Sequence, residues 1–114
     1  MATFVKYYPQ ASGSSSQIKR VFTSDALYNA QNDDHYIGVD SSINPVTIVL
    51  PNASESGNGK ILVIKDESGK SFINNIIIEA SGVDKVDTNP QFIIASNLDS
   101  VTLVCDGIGN WYII

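Results

Sequence analysis

Three short runs, Ile61-Leu62-Val63-Ile64, Ile76-Ile77-Ile78 and Phe92-Ile93-Ile94-Ala95, carry apolar side chains at consecutive positions. Neighbouring side chains of a strand point to opposite faces, so runs of this kind are apolar on both faces of a sheet. An antiparallel sheet with one wet face alternates apolar and polar residues, and a continuous run implies that the second face is covered too. The expected cover is another copy of the same chain, in an assembly whose interface resembles a core cut in half. Ile and Val number 25 against five Leu. Their β-branched side chains are stiff at χ1 and pack well on a pleated surface, which favours sheet over helix.

From residue 18 onward, β-type runs alternate with turn residues, at 18–23, 35–39, 45–50, 60–65, 72–80, 83–86, 91–95, 100–105 and 110–114. Eight to nine short strands at this spacing predict an all-β domain, a β-sandwich or a jelly roll. Asp66-Glu67-Ser68-Gly69 has the composition of a tight turn. Only 24–29 reads as helical, a single turn capped by Ser24 or Asp25. The apolar run Trp111-Tyr112-Ile113-Ile114 is expected to be buried as the closing strand. At 114 residues the chain is sized for one domain, 18–114. Residues 1–17 read as an arm, with Phe4, Val5, Tyr7 and Tyr8 as its sticky side chains, on the linker Ser12-Gly13-Ser14-Ser15-Ser16. Gly/Ser-rich linkers behave as random coil, so such an arm reaches beyond its own domain.

Twelve Asp and Glu face seven Lys and Arg, for a net charge of -5, and the only Arg is Arg20. A surface of that sign repels phosphate backbones and anionic headgroups, so no nucleic-acid partner is expected. No membrane insertion is expected either, since no apolar stretch approaches the roughly 20 residues of a membrane span. Nor does Met1 to Gln17 contain the apolar region of a signal peptide. The single Cys105 cannot form an internal disulfide, which suits synthesis in a reducing cytoplasm.

Candidates for chemistry are few. His35 follows Asp33 and Asp34, but consecutive strand positions would not bring Asp34 and His35 together. One His and one Cys cannot supply the three or four ligands that zinc needs. Cys105 lies inside an apolar run, where an inert buried thiol is the plain reading. Asp66 with Glu67, and Asp84 with Asp87, lack the ordered acidic loop of an EF-hand. Gly57-Asn58-Gly59 is followed by no helix start and no Gly-Lys-Ser/Thr, so it is not a phosphate loop. No enzyme activity and no cofactor are expected.

One stretch carries a signature. It comprises Pro45-Val46-Thr47-Ile48-Val49-Leu50-Pro51, then Gly59-Lys60-Ile61-Leu62-Val63-Ile64-Lys65-Asp66-Glu67-Ser68-Gly69, then Ser100-Val101-Thr102-Leu103-Val104-Cys105-Asp106-Gly107 with Asn110-Trp111-Tyr112. In this order the pieces resemble the β-rich module near the C-termini of bacteriophage tail fibres and related virion appendages, including surface proteins of large algal viruses. The resemblance implies a homotrimeric, non-enzymatic structural protein whose strands pack around a three-fold axis. A tail fibre carries a long repetitive shaft before this module, and here only the arm precedes it. The expectation is therefore a short trimeric knob on the virion surface: a capsid decoration or cement protein, a head fibre or a small tail component. Its partners would be further copies of itself and other capsid or tail proteins. The alternative is a receptor-binding tip that recognises a host surface glycan, with Tyr28, Tyr36 or Trp111 stacking on a sugar ring.

Overall fold

The structure, a computed structural model, describes residues 17–114. The chain forms ten strands and one helical turn: β1 (Arg20–Thr23), β2 (Leu27–Asn29), β3 (Tyr36–Val39), β4 (Val46–Val49), α1 (Ala53–Ser56), β5 (Asn58–Asp66), β6 (Ile76–Glu79), β7 (Lys85–Val86), β8 (Gln91–Ile94), β9 (Ser100–Asp106) and β10 (Asn110–Ile113). They build a six-stranded sheet in the order β1-β3-β5-β9-β10-β7 and a four-stranded sheet in the order β2-β4-β6-β8. The all-β, two-sheet reading of the sequence holds.

The winding differs from that of a jelly roll, whose neighbouring strands are antiparallel. Each connection after β1 to β5 carries the chain into the opposite sheet, so the next strand of the first sheet enters in the same direction. Arg20, Tyr36 and Val63 lie side by side across the parallel strands β1, β3 and β5. Leu27, Thr47 and Ile77 do the same across β2, β4 and β6. Three solenoid-like turns are thus stacked before the chain reverses. β8 runs antiparallel to β6, β9 to β5, and β10 returns along β9.

Local expectations fail in three places. Residues 24–29 are not a helical turn, because Leu27, Tyr28 and Asn29 pair with β4 and Tyr28 packs on the core; this pairing outweighs the weak capping signal of Ser24 and Asp25 and supplies the tenth strand. The long run 72–80 contributes a strand only at Ile76–Glu79, and 72–75 is occupied by a turn in which Lys70 O accepts the amides of Ile73 and Asn74. The helical turn that does exist, α1, begins where Asn52 Oδ1 accepts the Ser54 amide.

Within the apolar runs, alternate residues face the core between the sheets. Leu62 and Ile64 of β5, Ile76 and Ile78 of β6, Val46 and Ile48 of β4, and Leu103 of β9 have no exposed surface. Trp111 is likewise fully enclosed, and its indole N–H donates to Pro51 O at 3.3 Å. β10 lies between β9 and β7, inside the sheet. The expectation that all of 111–114 is buried is corrected here: Tyr112 and Ile114 are exposed, because alternation along β10 turns every second side chain outward.

Candidate functional site

The turn residues of the signature are structural. Asp66 ends β5 with its carboxylate buried, and it accepts the amides of Ser68, Gly69, Ser71 and Leu98 together with the Ser68 hydroxyl. Burial alone would raise its pKa, but the Leu98 amide, Ser71 and Ser68 hold it well below the usual carboxylate range. Around it, Ser71 Oγ donates to Ser96 O, the Phe72 amide to Asn97 Oδ1 and Asn74 Nδ2 to Ser41 O, so the loops 40–45, 67–75 and 95–99 are tied into one edge of the sandwich. Asp106 does the same for the β9–β10 hairpin. The amides of Asn110, Ile108 and Gly109 hold its carboxyl well below the usual range.

The other chemical candidates are also committed to packing. Asp34 is buried, its Oδ2 accepting the Tyr28 hydroxyl and the Gln31 amide. Its Oδ1 faces the Lys19 ammonium at 3.1 Å, near enough for an ion pair though not aligned for a hydrogen bond. His35 Nδ1 accepts the Lys19 amide at 3.3 Å. Asp84 accepts the Ala53 amide and Asp87 the Ile113 amide. Cys105 is buried, its thiol against Ala53 O, and burial pushes its pKa up. Among the described residues no three His, Cys, Asp or Glu side chains form a group suited to a metal ion.

The three aromatic residues proposed to stack on a sugar are not brought together. Trp111 is enclosed in the core and cannot reach a ligand, which corrects that assignment. Tyr28 packs against the core, and its hydroxyl, bound to Asp34, is pushed up to about 12, chiefly by burial. Tyr36 alone faces outward. The arm residues Phe4, Val5, Tyr7 and Tyr8 lie outside the described residues.

Tyr36 belongs to a cluster on the outer face of the six-stranded sheet that the sequence reading did not anticipate. In β1 and β3, Arg20 stands beside Tyr36 and Phe22 beside Gly38, with Lys65 of β5 next to Gly38. Glu67 follows β5 and folds back over Gly38. Its Oε2 accepts the Tyr36 hydroxyl at 2.6 Å and its Oε1 accepts from Arg20 Nη2. The Tyr36 hydrogen bond, working against desolvation and joined by Arg20, holds the Glu67 carboxyl below its ordinary value. The Arg20 guanidinium lies 5.8 Å from the centroid of the Phe22 ring and 5.6 Å from that of Tyr36. Glycine is required at position 38, since a Cβ there would stand 2.4 Å from the Glu67 carboxyl carbon. No family model matches the chain. No curated protein matches it either.

Apolar rows occupy the rest of the outer faces. On the six-stranded sheet, Ile61, Val104 and Tyr112 align across β5, β9 and β10. On the four-stranded sheet, Leu27, Thr47, Ile77 and Ile93 align across all four strands. Leu27, Ile61, Ile93 and Tyr112 are each 40% exposed or more.

Proposed function

We propose that this domain is a non-enzymatic structural module of a virus particle, working as a homotrimeric knob on the particle's exterior and attached through its N-terminal arm. The observation that carries the assembly is the pair of outward apolar rows, Ile61-Val104-Tyr112 and Leu27-Thr47-Ile77-Ile93. Exposed apolar patches of this continuity mark interaction surfaces, and a neutral row is the part of an acidic chain where copies meet without like-charge repulsion. The carboxylates of Asp66, Asp84 and Asp106 serve loop amides, which supports a building role over a chemical one. The virion and the three-fold arrangement rest on the resemblance of 45–112 to tail-fibre modules. Three arms carrying Phe4, Val5, Tyr7 and Tyr8 bind avidly because each contact raises the effective concentration of the next.

Immunogold electron microscopy of purified particles, with antibodies raised against 17–114, is the test. Label on the exterior of intact particles is the expected result. Label confined to infected cells, with none on particles, contradicts the proposal.

A further inference from the structure

We propose that the outer face of β1 and β3 carries a binding seat for a neutral saccharide, formed by Phe22, Arg20, Tyr36 and Glu67. The seat needs no second copy of the chain, so it stands apart from the assembly argued above. Its geometry begins at Gly38, in the middle of a sheet. Without a side chain there, Glu67 lies flat over the strand between Phe22 and Lys65, in a space that a Cβ would close. Stability does not account for this arrangement. A surface ion pair contributes little, and a glycine inside a strand costs as much or more.

The cluster has unused hydrogen-bonding capacity directed at solvent. A carboxylate offers about four acceptor sites and a guanidinium about five N–H donors, and here Tyr36 Oη and Arg20 Nη2 each supply one contact to Glu67. The Tyr36 oxygen keeps its acceptor lone pairs. Beside these groups the Phe22 ring is 53% exposed. An acceptor, a forked donor and an apolar ring on one flat face match a pyranose, whose adjacent hydroxyls take the polar groups and whose C–H face covers the ring. A phosphate or a carboxylate suits the site poorly, because Glu67 already occupies Arg20 and would repel it.

The test is a proton–nitrogen correlation NMR titration of the full chain with the methyl glycosides of glucose, galactose, mannose and N-acetylglucosamine, and with glucuronic acid. At least one neutral glycoside is expected to shift the amide signals of Phe22, Gly38 and Lys65 saturably. Phe22→Ala, a change at an exposed side chain, is expected to weaken that binding about tenfold. Glu67→Gln is expected to weaken it as well, whereas Val83→Ala, at a residue outside the cluster, leaves it unchanged. The proposal is overturned if no neutral glycoside shifts these signals, if Phe22→Ala binds as the parent does, or if glucuronic acid alone binds. A monomer that binds a neutral glycoside upholds the seat and contradicts the trimer.

Discussion

Asp66→Ala is expected to lower the free energy of unfolding by about 4 kcal/mol, a large share of the roughly 5 to 15 kcal/mol that holds a domain together. The carboxylate accepts amides at 2.9 to 3.1 Å from Ser68, Gly69, Ser71 and Leu98, and the Ser68 hydroxyl at 2.8 Å. Truncation leaves these donors facing a methyl group in a buried place, and each orphaned donor costs about 1 to 3 kcal/mol before the loops relax. Urea denaturation reads the effect directly, and a loss below about 1 kcal/mol would contradict it. Asp66→Asn keeps one acceptor oxygen but turns an amide group toward other donors, so it should fall between the two.

The same carboxylate sets a pH dependence. Its folded pKa lies below the 3.8 of an unperturbed Asp, so the unfolded chain takes up the proton first as the medium is acidified. The contribution of Asp66 is therefore complete above about pH 4 and is lost as pH falls below that value toward the folded pKa. Asp106 is depressed in the same direction and titrates in the same window. Asp66→Ala should flatten the acid limb of stability against pH.

Truncation after Gly109 is expected to abolish folding. The deletion removes β10 from the interior of the six-stranded sheet, leaving β9 with an open edge and the two residues of β7 without the strand they pair with. It also removes Trp111, which fills the core with no exposed surface. Replacing such a residue alone, as in Trp111→Ala, costs about 3 to 5 kcal/mol. The truncated chain should be insoluble or lack a cooperative melting transition by circular dichroism. Tyr112→Ser, on the outer face of the same strand, should change monomer stability by only about 0.5 kcal/mol. A soluble truncation with an unchanged melting temperature would contradict the interior placement of β10.

Much of the fold is legible in the sequence because strand content and strand ends are local properties. Val46-Thr47-Ile48-Val49 is β-branched throughout and lies between Pro45 and Pro51, and β9 ends at Asp106-Gly107, where the hairpin turns. Strand direction is not local. Whether the segment after β3 pairs beside it or crosses to the other sheet depends on contacts far along the chain, so the parallel stacking of β1, β3 and β5 has no short-range signal. The same holds for the outer cluster. Arg20 and Glu67 are separated by 47 positions, and Gly38 becomes meaningful only once Glu67 lies over it. Trp111 was a fair candidate for a ligand contact by residue type, but its parity along β10 aligns it with Cys105 on the inner face. Tyr36 falls on the opposite parity relative to the core, which leaves it half-exposed.

The claim on which the functional account depends most is that the outward rows, Ile61-Val104-Tyr112 and Leu27-Thr47-Ile77-Ile93, are covered by further copies of this chain. Light scattering coupled to size exclusion measures this without reference to shape. A single species of about three times the 12.3 kDa chain mass is the predicted result. A clean monomer of 12.3 kDa at micromolar concentration would contradict it.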